Sequence, residues 1–67
     1  AKSDYQVLAN VEPTNAKWWL GLAIAEDQLG EIKMAVQAYS RASSLGQLDG
    51  SVGEFMQQRI SVLAGTQ

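Results

Sequence analysis

NAKWWLGLAIAEDQLGEIKMAVQAYSRASSLG, residues 15–46, decides how this chain folds. Trp19, Leu22 and Ala23 recur at helical spacing before Gly30, and Ala35, Tyr39, Ala42 and Leu45 do so after it. Side chains three and four positions apart share one helix face. Alanines on that face let two backbones approach, while Trp19, Leu22, Tyr39 and Leu45 fill the space beside them. Gly30 stands where a helix ends in the left-handed conformation that glycine adopts without a Cβ penalty. The stretch predicts two antiparallel helices joined by a tight turn. Outward from it, Tyr5 precedes Tyr39 by 34 positions and Val11 precedes Leu45 by the same interval. A period of about 34 residues marks helical repeat arrays.

The flanks complete a four-helix pattern. A first helix is expected over roughly Ser3–Asn10, with Tyr5, Leu8 and Val11 at helical spacing, stopping where Glu12 precedes Pro13. Thr14 or Asn15 is the expected cap of the second helix, about Ala16–Leu29. Its apolar residues, Leu29 among them, cover most of the circumference, as in a helix sandwiched between neighbours. The third helix is expected over Glu31–Leu45, burying Ile32, Ala35, Val36, Tyr39, Ala42 and Leu45 before Gly46 ends it. The fourth begins near Asp49 or Ser51: Ser51 and Glu54 have capping-box spacing, and Asp49 competes. Val52, Phe55, Met56, Ile60 and Leu63 form its apolar stripe, with Gln57, Gln58, Arg59 and Ser61 on a polar face and Gly65–Gln67 as a tail. A one-sided final helix is what an end cap requires.

These residues resemble a tetratricopeptide repeat. Trp19 and Leu22 match the large positions of that family's first helix, Ala23 its small position and Gly30 its turn. Ala35, Tyr39 and Ala42 match the second helix. Glu26 replaces the usual aromatic, and Gln47 the closing proline. The resemblance implies an all-α fold of antiparallel helix pairs in a short right-handed solenoid with a C-terminal capping helix. Residues 1–14 would be the second helix of a truncated preceding repeat, 15–48 a complete unit, and 49–67 the capping helix and tail. The helical pattern starts at once from Ala1, so the chain reads as a segment of something longer. More narrowly, WWLGLAIAEDQLG (18–30) with AVQAYSRAS (35–43) and QQRISVL (57–63) is similar to the C-terminal repeats of proteins that assemble the bacterial mannose-sensitive haemagglutinin type IV pilus. That similarity implies a periplasmic scaffold role in the envelope.

Composition narrows the function classes. A formal charge of −2 with five scattered basic residues lacks the clustered positive charge of a nucleic-acid binder. There is no cysteine and no histidine, so thiolate zinc sites, cysteine nucleophiles and His-centred triads are excluded. No apolar run approaches the ~18 residues of a membrane span, and the fourth helix is amphipathic without being basic. Seven carboxylates (Asp4, Glu12, Glu26, Asp27, Glu31, Asp49, Glu54) read as helix-start and wet-face residues rather than as a general acid and base. No cofactor or metal is expected. The chain reads as a non-enzymatic protein–protein interaction module.

The resemblance also places a groove. Its lining would be Lys17, Leu20, Ile24, Asp27 and Gln28, the outward positions of the repeat's first helix. Family members that clamp a C-terminal carboxylate present a Lys and an Asn one turn apart there; Leu20 and Ile24 stand here instead, so the charge-assisted bonds for an anionic terminus are missing. Leu20 and Ile24 form an apolar strip that would take a hydrophobic helix or strand, or be covered by the fourth helix or a neighbouring chain. The alternative is a purely structural end cap of a longer solenoid, with partner binding in missing upstream repeats. Trp18 and Trp19 diverge by about 100° and cannot stack together; Trp19 is expected inside the unit and Trp18 against the first helix near Tyr5 and Val11. That helix bears Val7, Leu8 and Val11 on an unshielded side, which predicts dimerisation through the end helices.

Overall fold

A computed structural model describes residues 2–65, and those residues form four α-helices and no strand: α1 (Lys2–Val11), α2 (Ala16–Gln28), α3 (Ile32–Leu45) and α4 (Gly50–Gly65). Ala1, Thr66 and Gln67, the ends of the first and last expected segments, lie outside the described residues. Gly65, expected in the tail, is the last residue of α4. Each helix packs on its neighbour in sequence, and no other pair of helices brings its backbones together among the described residues. Hydrogen bonds between distant ends fix the directions. Gln47, after α3, bonds Ala16 at the start of α2, and Lys2, at the start of α1, pairs with Glu31 beyond the end of α2. Gln57, in the first half of α4, bonds Ser43 late in α3, while Ala64 at the end of α4 lines a hollow with Lys33 and Val36. Neighbouring helices therefore run antiparallel, in a helical repeat-like all-α arrangement measuring 31 × 25 × 14 Å.

Local chemistry explains the boundaries. Asn15 caps α2 from an extended backbone (φ −96°, ψ 106°), its side-chain oxygen accepting from the Lys17 N–H at 3.1 Å. At the other end the Gly30 N–H donates to the Asp27 carbonyl at 3.1 Å and the Glu31 N–H to the Glu26 carbonyl at 2.9 Å. With Gly30 at φ +79°, this pair of bonds is a Schellman motif that satisfies two orphan carbonyls and turns the chain into α3. Gly46 ends α3 at φ +67°. Asp49 caps α4, accepting from the Val52 N–H at 3.0 Å and the Ser51 hydroxyl at 2.8 Å. Ser51 is thus a donor to the cap, and the Ser51–Glu54 box does not form.

The core is built from alanines around one aromatic. Ala9, Ala23, Ala35, Ala38 and Ala42 are buried with Tyr39, Leu22, Met56 and Leu63. Ala23 and Ala35, each 0% exposed, sit where backbones approach, and Tyr39 is also 0% exposed. Burying one such large side chain contributes roughly 1.5–3 kcal/mol. Gly21 is a second close approach: a Cβ there would lie 2.3 Å from the Tyr5 ring, so α1 docks by laying Tyr5 against a bare backbone. Three expectations fail at the edges: Leu45, read as part of the buried stripe of α3, is only half-buried and lies outside the core cluster, and two other residues are exposed. Leu29 is 62% exposed, because it is the residue at which α2 ends and the chain turns away. Phe55 is 42% exposed; it meets Tyr39 edge-on, with centroids 6.1 Å apart, and leaves its other side open.

Candidate functional site

On a helix that turns about 100° per residue, Gly21 points toward α1, and Ala23 lies some 160° round from it. The circumference of α2 keeps two other sectors. One carries Trp19, Leu22 and Glu26; the opposite one carries Lys17, Leu20, Ile24, Asp27 and Gln28. The predicted groove residues therefore share one side of α2. Lys17 and Gln28 are exposed, and Leu20 and Ile24 are half-buried against the core.

Asp27 is occupied. Arg59 of α4 donates Nε to Asp27 Oδ2 and an NH2 nitrogen to Oδ1, both at 2.8 Å, a two-pronged pair. The Tyr39 hydroxyl donates to the same Oδ2 at 3.0 Å. The Arg59 bond, with help from Tyr39, holds the Asp27 carboxyl below its usual range, although partial burial pulls the other way. Burial and the Asp27 carboxylate push the Tyr39 phenol up to about 12. Arg59, read from sequence as part of a wet face, instead ties α4 to the last turn of α2. Asp27 closes the end of the apolar strip rather than lining an open groove.

The two tryptophans diverge as expected, and both reach back to the linker before α2. Trp18 Nε1 donates to Glu12 Oε1 at 2.6 Å, and Trp19 Nε1 to the Pro13 carbonyl at 2.7 Å. Each indole keeps an apolar body half-buried while its N–H finds an acceptor. Trp18 does not shield Val11, which is 71% exposed. Gln47, which departs from the repeat pattern, has its own task. Its side-chain oxygen accepts from the Ala16 N–H at 2.8 Å, and its amide donates to the Thr14 carbonyl at 2.6 Å. It so satisfies the start of α2 from beyond the end of α3.

Glu26 is the largest surprise. It is 1% exposed, and its Oε1 has no hydrogen-bond partner. Burial pushes its carboxyl above the ordinary value; the nearby Lys2 ammonium opposes this and the Glu31 carboxylate adds to it. Lys2 itself is engaged by Glu31. Nothing in the sequence alone distinguishes Glu26 from a wet-face carboxylate except that it stands where the repeat pattern wants an aromatic.

Among the described residues no group of three or more His, Cys, Asp or Glu side chains is placed to hold a metal ion. No helix among them is long and apolar enough to cross a membrane. Compared with family models, curated proteins and solved structures, the chain matches none.

Proposed function

We propose that this chain is a protein–protein interaction module of the tetratricopeptide type, taking an apolar segment of another protein along the Leu20–Ile24 side of α2. The observation that carries the reading is the half-exposed pair Leu20 and Ile24, one turn apart, on the side of α2 opposite Trp19, Leu22 and Glu26. Apolar side chains left half in water at the centre of an array gain by being covered, at roughly 25 cal/mol per Å² removed from solvent. The charge pattern agrees: with Asp27 neutralised by Arg59, the exposed Lys17 and Gln28 border the strip with polar groups. The narrower reading, a repeat segment of a periplasmic pilus-assembly protein, rests on the sequence resemblance.

A peptide-display selection on the immobilised chain tests this. Apolar helical or extended peptides should be enriched. Leu20→Asp with Ile24→Asp, a change that lowers the melt because both side chains pack partly on the core, should abolish their capture at a temperature where circular dichroism shows the variant still helical. Unchanged capture by that double variant refutes the site.

One observation favours the rival reading of an end cap. Leu20 and Ile24 already pack on the core, and Arg59 latches α4 across the end of their strip. If the chain is only a cap, the selection enriches nothing beyond what the double variant enriches.

A further inference from the structure

The second open sector of α2 has no role in that reading. Helices α1 and α3 flank it without bringing their backbones together, leaving a groove of about 320 Å³. Glu26, Leu22 and Trp19 of α2 line it, together with Gln6 and Asn10 of α1 and Gln37 of α3. The groove thus combines amide-bearing residues, a tryptophan and a carboxylate with one buried oxygen that has no donor. A buried acceptor left unmade carries a full desolvation penalty, and a buried charge requires a partner. No basic side chain of this chain hydrogen-bonds Glu26 Oε1 among the described residues: Lys2 is taken by Glu31, Arg59 by Asp27, Arg41 lies over the Trp19 ring at 5.8 Å from its centroid, and Lys17 and Lys33 are exposed.

We propose that this groove is a binding site for a single basic side chain, a lysine ammonium or an arginine guanidinium, presented by a partner protein and received by Glu26 Oε1. The cation supplies the donor that Glu26 lacks, in a site shielded enough for a charge-assisted bond to be short and strong. The amide oxygens of Gln6, Asn10 and Gln37 accept the remaining N–H groups, and Trp19 flanks the alkyl stem, which covers apolar surface while its head is held. The net charge of −2 favours the approach of a basic partner. This site faces away from Leu20 and Ile24, so either stands if the other fails.

The test is a nitrogen-15 chemical-shift titration of the whole chain at pH 7 and low salt. The probes are N-acetyl-lysine methylamide, N-acetyl-arginine methylamide and the neutral N-acetyl-norleucine methylamide. The expected result is saturable movement of the Trp19 indole and of the Gln6, Asn10 and Gln37 side-chain amides with one or both basic probes and not with the neutral one. Which basic probe binds more tightly assigns the head group. Glu26→Gln should weaken that binding by about tenfold or more, the loss of one charge-assisted hydrogen bond. A carbon-13 titration of the Glu26 carboxyl gives a second readout that needs no variant: saturating basic probe should lower its midpoint. The proposal is overturned if the groove signals do not move, if the neutral probe moves them equally, if Glu26→Gln binds as the parent does, or if the Glu26 midpoint stays fixed.

Discussion

Asp27 and Arg59 lie 32 positions apart and meet through two bonds of 2.8 Å, with the Tyr39 hydroxyl donating to the same carboxylate. One carboxylate thus joins three helices, α2, α3 and α4. Its folded pKa is depressed by these donors, so the sign is that of an ordinary paired acid. The stabilisation is fully present above the unfolded value of about 3.9 and is lost as pH falls through the lower folded value. Asp27→Asn should lower stability at neutral pH by on the order of 1 kcal/mol, discounted for solvent screening, and remove part of the acid limb of a melting-temperature profile. An unaltered acid limb would show that the pair contributes nothing.

Tyr5 and Gly21 form a close approach that an alanine would breach. On an exposed helix face Gly→Ala gains about 1 kcal/mol. Here the added Cβ lies 2.3 Å from the ring, and the displaced ring should turn that gain into a loss of about 1–3 kcal/mol. In a Tyr5→Ala background the same Gly21→Ala change should become stabilising. A double-mutant cycle by urea unfolding reads the reversal, and additive effects would contradict the contact.

Gln47 stands where the repeat pattern has proline, and restoring the pattern should harm this chain. Gln47→Pro removes an acceptor from the Ala16 N–H and a donor from the Thr14 carbonyl, at a cost of about 1–2 kcal/mol. A thermal melt equal to or above that of the parent would refute the role assigned to Gln47.

Glu26 acts oppositely to Asp27. Its carboxyl is pushed up by burial, so the fold prefers the protonated acid. Stability is lost as pH rises from the unfolded value, near 4.3, through the raised folded value. Glu26→Gln should therefore melt higher than the parent at pH 7, by about 1 kcal/mol, with the difference shrinking toward pH 4. A variant less stable than the parent at pH 7 would contradict that.

Val7 and Val11 are 60% and 71% exposed on α1, one turn apart, and Val62 on α4 is 48% exposed. Concentration-dependent dimerisation through these end helices is expected, by face-to-face burial or exchange of end helices. Sedimentation equilibrium giving a clean monomer at high concentration would exclude it, and Val7→Lys with Val11→Lys should abolish any dimer through α1.

The helix pair was legible because its signals are local. Gly30 and Gly46 carry positive φ, which glycine alone adopts cheaply, and Ala23, Ala35, Tyr39 and Ala42 fall on buried faces fixed by helical spacing. What escaped depends on neighbours that spacing does not supply. Arg59 reads as solvent-facing until α4 is packed on α3, which brings its guanidinium within reach of Asp27 on α2. Glu26 has the side chain of a surface residue and the position of a core one, and position prevailed. Gly21 looks like a weak helix residue until Tyr5 is placed on it. Leu29 misled in the other direction, since one residue at a helix end can be apolar and still face water.

The zigzag in which each helix backbone packs only on its neighbours along the chain, with the Arg59–Asp27 pair as a side-chain strap from α4 to α2, also governs how the molecule assembles and comes apart. Its contacts have low contact order, the topology associated with folding in microseconds to milliseconds. Cooperativity in such an array passes from neighbour to neighbour, so α1 and α4 should fray ahead of the α2–α3 hairpin, with amide protection against hydrogen exchange greatest around Ala23 and Tyr39 and declining toward both termini.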